Sequence, residues 1–152
     1  MDRIDKKIVA ELQRDGRLTN VELADRVGLS PSPCLRRVRL LEEAGIIKGY
    51  RADVDRAAVG LTTTVFIEIS VDRHSKQNAD AVQERLAAIP GLVSCHMVSG
   101  NADFLAEVVV ADHAAYERVL TEHILTMEMI SNVRSNFALR TICVQQPLAL
   151  SE

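Results

Sequence analysis

Three arginines lie close together in a segment whose residues favour the start of a helix. Residues 28–45 read GLSPSPCLRRVRLLEEAG, and the arginines are Arg36, Arg37 and Arg39. A guanidinium group offers several N–H donors in one plane, which suits phosphate oxygens and the guanine edge exposed in the major groove of DNA. The chain as a whole has a formal net charge of −3, so this cluster concentrates positive charge locally on an acidic protein. It indicates a site for nucleic acid.

Positive charge is concentrated in the first part of the chain. Residues 1–59 hold 12 Lys and Arg against 10 Asp and Glu, whereas residues 60–152 hold 6 against 11. This asymmetry indicates one half that faces nucleic acid and one half with another task. No apolar run approaches the roughly 20 residues that span a bilayer, and the N-terminus has no signal-peptide pattern. With three cysteines and no CxxC spacing, we expect a cytoplasmic protein without disulfides or a membrane partner.

Three short helices are predicted around the arginines. Ile4, Ile8 and Leu12 recur at helical spacing, and Thr19 with Glu22 forms a capping box that opens a second helix. Ser32 is the predicted N-cap of the third helix, with Pro33 at its first position. The apolar positions predicted to be buried are Val21, Ala24 and Val27 in the second helix, and Leu35, Val38, Leu41 and Ala44 in the third. The β-prone run IIKGYRADVD then suits a small hairpin wing, so residues 1–60 are predicted to form a winged helix-turn-helix domain.

The third predicted helix carries the candidate DNA contacts. Arg36 and Arg39 point away from the predicted apolar stripe, Arg37 lies at its shoulder, and Leu40 faces outward. The N-terminal ends of the second and third helices offer free N–H groups to phosphate. The candidate DNA-binding residues are Thr19, Asn20, Ser30, Ser32, Pro33, Cys34, Arg36, Arg37, Arg39, Lys48 and Arg51. The alternative is an ordinary solvated face, in which the arginines pair with Glu42 and Glu43.

The second half of the chain changes to a period of two residues. Val65, Ile67 and Ile69 alternate with polar residues in a first strand, and Asp112 is placed to cap a late helix. The order of elements is β-α-β-β-α-β, a ferredoxin-like arrangement over residues 61–152, with a final strand over about 131–144. The whole chain is therefore predicted to be α+β. Both helices would cover one sheet face, and apolar residues on the other face predict a homodimer.

These motifs, in this order, resemble the Lrp/AsnC (feast/famine) family of transcription regulators over nearly the whole chain. The resemblance is carried by Asp5–Ile8, Leu12–Arg17, Leu23–Ala24, Val27–Ser30, Ser32–Val38, Leu41–Ile47, Cys95–Gly100 and Asp103–Leu105. It implies a bacterial or archaeal, nucleoid-associated regulator that binds double-stranded DNA and senses an amino acid. It also implies homodimers that assemble into octamers.

The resemblance further implies an effector site near the turn at residues 99–103. The residues carried over are Ser99, Gly100, Asn101, Ala102, Asp103 and Ser135. In this site the amides of residues 101–103 would receive the effector's carboxylate and Asp103 its ammonium group. Asn101, Ala102 and Asn136 depart from residues common in the family, so the identity of the amino acid stays open.

Other interpretations of the sequence are kept open. Residues 100–103 could be a plain hairpin loop, with Asp103 bonded to its own backbone. The protein could be an architectural DNA-wrapping protein without an effector. Cys34 suits a packed apolar position or, alternatively, a redox sensor, and His96 is expected to be structural. No catalytic triad, phosphate loop or metal-ligand spacing is present, so we expect no catalytic residues, no metal, no cofactor and no enzyme activity.

Overall fold

The computed structural model describes residues 1–72, 77–144 and 146–150, which fall into two compact units. The first unit is Met1–Asp53 together with the C-terminal segment that begins at Ile142, and the second is Val54–Thr141. The first unit thus ends before residue 60, and the C-terminal segment joins it and not the second unit. Among the described residues, the regular elements of the first unit are all helices, whereas the second unit combines a sheet with helices. This confirms the α+β class.

The first unit is a bundle of three helices: α1 (Arg3–Arg14), α2 (Asn20–Val27) and α3 (Pro31–Glu43). Its buried residues are Ile8, Leu23, Ala24, Val27, Cys34 and Leu41. The predicted capping box of α2 is confirmed, since the Thr19 hydroxyl accepts the N–H of Glu22 at 3.3 Å and the Glu22 carboxylate accepts the N–H of Thr19 at 2.8 Å. These bonds satisfy backbone donors that have no partner inside the helix.

Several local predictions for these helices are wrong. The helix α3 begins at Pro31 with Ser30 as its N-cap, so Ser32 and Pro33 lie inside its first turn. Val21 is 65% exposed, and Leu35 and Ala44 are also exposed, whereas Leu23 and Cys34 take the buried positions. The cause is tertiary, because the buried face of each helix is the one that meets the other two helices.

Between α3 and residue 54, the described backbone does not form the predicted hairpin wing. The N–H groups of Ile46 and Ile47 both donate to the Leu41 carbonyl, at 2.9 and 3.1 Å, and this closes the end of α3. After that turn, the described backbone of residues 48–54 makes no hydrogen bond to another strand. A hairpin needs two paired strands, and the described residues 44–54 contain none.

The C-terminal segment returns to α1 in the first unit. The Gln13 side-chain amide donates to the Leu148 carbonyl at 3.2 Å and accepts the Leu148 N–H at 2.7 Å. Leu148 and Leu150 also line a cavity of about 300 Å³ that includes Val9 and Tyr50. The final strand is predicted to end at about residue 144 and nothing is predicted for residues 146–150, so this docking on α1 is a finding of the structure.

The second unit is a four-stranded antiparallel sheet with helices on one face. Its elements are β1 (Thr63–Val71), α4 (Gln77–Ala87), β2 (Leu92–Met97), β3 (Phe104–Val110), α5 (His113–Arg118), a π-helical continuation (Val119–Ile124) and β4 (Ile130–Phe137). The strand order is β2-β3-β1-β4. The predicted β-α-β-β-α-β order is confirmed, as is the cap of α5, where the Asp112 carboxylate accepts the N–H of Ala115 at 2.7 Å.

The helix-facing side of the sheet holds the core of this unit. Val65, Ile67 and Ile69 of β1 are fully buried, and they pair with Val108, Ala106 and Phe104 of β3. The prediction that β4 runs to residue 144 is wrong. The strand ends at Phe137, and the last bond to its neighbour is from the Ala138 N–H to the Thr64 carbonyl at 2.9 Å.

The opposite side of the sheet is less apolar than predicted. It carries Phe66 and Leu105, but also ion pairs that cross the strands. Arg56 reaches the Glu107 carboxylate at 2.8 Å, and Glu68 accepts hydrogen bonds from Asn136 at 3.0 Å and pairs with Arg134 at 3.5 Å. Glu68 of β1, Glu107 of β3 and Arg134 of β4 therefore place charge on a face that the sequence pattern predicts to be apolar.

Candidate DNA-binding and effector sites

The outward face of α3 presents two unpaired cations. Arg36 and Arg39 are exposed, and in the described part of the chain neither forms an ion pair or a hydrogen bond. The alternative pairing with Glu42 and Glu43 is not seen, and the Glu42 carboxylate instead accepts the Tyr50 hydroxyl at 3.0 Å. Leu40 is 53% exposed, as predicted. This face can therefore offer two free guanidinium groups to a partner.

Arg37 differs from its two neighbours because it is engaged within the unit. One of its terminal nitrogens donates to both Asp2 and Asp5, at 2.7 Å each, and the side chain is 28% exposed. The pKa of Asp2 is lowered, first by the N–H of Asp5 and then by Arg37. Arg37 thus attaches α3 to the first turn of α1, which leaves its guanidinium less available for DNA.

The other candidate DNA-binding residues are exposed, held by hydrogen bonds within the unit, or buried. Ser30, Ser32, Pro33, Lys48 and Arg51 are exposed. Thr19 is occupied by its capping box, and the Asn20 amide donates to the Pro31 carbonyl at 2.8 Å. The candidacy of Cys34 is wrong, because its side chain is completely buried between the helices. Leu35 lies on the exposed face instead; the sequence analysis missed it because leucine is the more apolar of these two neighbours.

The buried position of Cys34 predicts the order in which the thiols react. Burial raises the pKa of the Cys34 and Cys95 thiols, and since the thiolate is the reactive form, a raised pKa leaves less of it at a given pH. With a disulfide reagent near pH 8, we expect exposed Cys143 to react first, Cys95 slowly and Cys34 only on unfolding. The measurement is thiol release against time. A fast phase that survives Cys143→Ser would contradict this order.

The turn at residues 99–103 is fixed to the end of β1 by several hydrogen bonds. The Asp103 carboxylate accepts the N–H of Val71 at 2.9 Å, and the Asp103 N–H donates to the Ile69 carbonyl at 3.0 Å. The Ser70 hydroxyl donates to the Asn101 carbonyl at 3.4 Å. The Asp103 N–H is therefore not available to an effector, contrary to expectation, although the carboxylate keeps a second oxygen.

The tip of this turn has free backbone donors. Ser99, Gly100 and Asn101 are exposed and Ala102 is half-buried. Among the described residues, the N–H groups of Gly100, Asn101 and Ala102 have no acceptor. Backbone N–H groups without an internal acceptor are able to donate to a carboxylate, and one oxygen of the Asp103 carboxylate follows them in the sequence.

Ser135 lies apart from this turn within the chain. It pairs with Ile67 across β4 and β1, on the helix-facing side, and its hydroxyl is hydrogen-bonded to the Tyr116 hydroxyl. Burial raises the pKa of Tyr116, and the bond to Ser135 opposes that shift. The strand β1 separates β4 from β3, so the structure does not bring Ser135 and Asp103 together in one chain. Tyr116 is a partner that the sequence analysis did not identify.

The described residues offer little to other kinds of site. No group of three or more His, Cys, Asp or Glu side chains among them could hold a metal ion. None of the helices in the described ranges combines the length and apolar character needed to cross a membrane.

The chain matches two family models that together span most of its length. Residues 1–48 match a winged helix-turn-helix DNA-binding domain, and residues 64–148 match the Lrp/AsnC ligand binding domain. A leucine-responsive regulatory protein from Rhizobium meliloti is 43% identical over 142 residues, which cover 93% of this chain and 91% of that protein. The protein of the same name from Escherichia coli is 40% identical over 135 residues, covering 89% and 82%.

Solved structures give the same answer. An AsnC family transcriptional regulator from Agrobacterium tumefaciens aligns with a TM-score of 0.93 at 38% identity, covering 98% of this chain and 97% of that one. A transcriptional regulator from Neisseria meningitidis in complex with L-methionine aligns with a TM-score of 0.92 at 36% identity, covering 98% and 96%. These relatives are transcription regulators and not enzymes. The chain belongs to the Lrp/AsnC family of DNA-binding transcription regulators.

Proposed function

We propose that this regulator binds specific DNA sequences and that a small amino acid changes its DNA binding or its assembly. The observation that carries the effector half is the turn at residues 99–103, whose tip holds three N–H groups without an acceptor among the described residues. The DNA half rests on Arg36 and Arg39, exposed and unpaired on α3. The protein would act on the nucleoid in the cytoplasm of a bacterium or archaeon.

The chemistry of the turn supports an amino acid as the effector. A free amino acid carries a carboxylate and an ammonium group on the same carbon, and the turn offers N–H donors beside the Asp103 carboxylate. The relative from Neisseria meningitidis was solved with L-methionine, and other relatives are named leucine-responsive, which supports this class. The effector itself is left open between amino acids.

The assembly is proposed to be a homodimer that associates further, up to an octamer. Leu139 is fully exposed and Ile142 is 83% exposed, in an extended stretch that follows β4. Phe66 is exposed on the open side of the sheet. Apolar side chains in unpaired extended segments are commonly covered by a second copy in a symmetric oligomer. Light scattering during size-exclusion chromatography measures the assembly, and a monomer at micromolar concentration would contradict it.

The decisive experiment is a thermal-shift screen of the twenty amino acids, followed by DNA titration with any that bind. A ligand that binds only the native state raises the melting temperature by mass action. We expect a shift with a small subset and a change in DNA affinity or assembly with the same subset. No shift with any amino acid, with DNA binding intact, would favour the alternative of an architectural DNA-wrapping protein without an effector.

Asp103 is predicted to hold the ammonium group of the effector. In Asp103→Asn the side chain keeps an oxygen for the Val71 N–H but loses its charge. Loss of one charge-assisted hydrogen bond costs roughly 1.5–3 kcal/mol, so we expect effector affinity to fall about 10- to 100-fold. DNA affinity without effector should stay within about twofold, because the turn lies outside the DNA-binding unit.

Calorimetric titration with the amino acid found in the screen measures this change. Asp72→Asn is the matched control, because Asp72 is an exposed carboxylate next to β1 and its replacement changes the net charge equally. Effector affinity that is unchanged in Asp103→Asn would remove Asp103 from the site.

A further inference from the structure

The start of the recognition helix α3 lacks the local capping that fixes the other two helices. Asp2 caps α1 and Thr19 caps α2, each in a complete capping box. The N-cap of α3 is Ser30, which makes no side-chain capping bond, and the first turn contains Pro31 and Pro33. Proline has no N–H group, so this turn has fewer backbone donors for any cap to hold. The first turn of α3 therefore depends on contacts with other parts of the unit for its position.

A side chain from α2 makes that connection. The Asn20 amide nitrogen donates to the carbonyl oxygen of Pro31 at 2.8 Å. Asn20 is the first residue of α2 and Pro31 the first residue of α3. This bond therefore joins the beginnings of the two helices that make up the helix-turn-helix.

The amide of Asn20 is also partly committed within the unit. Its oxygen is buried and has no hydrogen-bond partner in the described residues, while its nitrogen is engaged by Pro31. One of the two amide N–H groups is held by Pro31, so a phosphate contact that keeps this bond could use only the second N–H. The sequence analysis, which placed Asn20 among the residues that contact DNA, did not predict this bond.

We infer that Asn20 is a positioning residue that sets the recognition helix for specific DNA binding through its bond to Pro31. The inference rests on the proposed DNA-binding function of α3. When α3 is displaced, base contacts are lost because they require alignment within the major groove, whereas phosphate contacts tolerate small shifts. Loss of Asn20 should therefore reduce specificity more than overall attraction to DNA.

The test compares two duplexes across a salt range. One is recovered from a random-sequence pool by selection on the wild-type protein, and the other is a scrambled version of it. Affinity is measured by fluorescence anisotropy between about 50 and 200 mM KCl, a range over which each phosphate contact made by Lys or Arg contributes about 0.9 to the slope of log K against log salt. The variants are Asn20→Leu and Asn20→Ala, with Arg39→Ala as the control that removes an exposed cation.

For both Asn20 variants we expect affinity for the selected duplex to fall about 5- to 10-fold, with affinity for the scrambled duplex and the salt slope unchanged. Both variants remove the unpartnered oxygen. Because leucine is close to asparagine in size, the melting temperature of Asn20→Leu should equal or exceed that of the wild type. Arg39→Ala should weaken binding and reduce the slope.

Two results would overturn the inference. An equal loss on both duplexes would show that Asn20 acts as a phosphate contact and not as a positioning residue. Unchanged affinity for the selected duplex in both variants would show that the bond to Pro31 does not set the helix. Failure of the proposed function is separate, since the wild-type protein would then recover no preferred duplex.

Discussion

Replacing both Arg36 and Arg39 by alanine is expected to weaken binding to a selected DNA site on the order of 100-fold. The two side chains are exposed on α3 and unpaired in the described part of the chain, so the change removes two free guanidinium groups from the proposed DNA face. One specific arginine contact is worth roughly 1–3 kcal/mol, and two contacts of about 1.4 kcal/mol each give this factor. The fold should be unaffected, because alanine favours helix and neither side chain supports the core.

The measurement is the dissociation constant from anisotropy titration at one fixed salt concentration. The matched control replaces Arg118 and Arg140 by alanine, because both are exposed on the second unit and their loss changes the net charge equally. The control should bind DNA within a few-fold of the wild type. If the two double variants bind equally well, the outward face of α3 is not the recognition surface.

The structure explains why local signals predicted some elements of the DNA-binding unit and not others. The capping box joins Thr19 and Glu22, which are only three positions apart, so the sequence predicts it and the structure confirms it. The start of α3 was placed two residues late because Ser30-Pro31 and Ser32-Pro33 carry the same start signal. No capping bond distinguishes the two pairs, so the choice depends on how α3 packs against the rest of the unit.

Contacts between distant residues account for the remaining differences. The ion pairs of Arg37 join it to residues 35 and 32 positions earlier in the chain, and the Gln13–Leu148 bonds join residues 135 positions apart. The periodicity of a helix or a strand does not predict contacts between residues so far apart in the sequence. For the turn at residues 99–103, the resemblance implied an effector site, but only the structure shows that the Asp103 N–H is already bonded to Ile69.

Gly91→Ala is expected to destabilise the second unit by about 3 kcal/mol. Gly91 precedes β2 with a φ of +75°, and a Cβ atom there would lie 2.6 Å from the Val109 carbonyl oxygen. The left-handed backbone costs an alanine roughly 1–2 kcal/mol, and relieving the overlap requires a backbone shift that costs roughly 1–3 kcal/mol more. That shift would strain the bond from the Val109 N–H to the Gly91 carbonyl, now 2.9 Å long.

Gly60→Ala separates the two contributions to that loss. Gly60 lies in the same unit with a φ of +79°, and nothing lies within 4 Å of the added carbon. It should therefore cost only the backbone part, roughly 1–2 kcal/mol, as measured by urea unfolding followed by circular dichroism. An equal loss in the two variants would mean that the contact with Val109 contributes nothing. A clearly larger loss for Gly91→Ala would show that the close approach of Gly91 to β3 is what excludes a side chain where the chain enters β2.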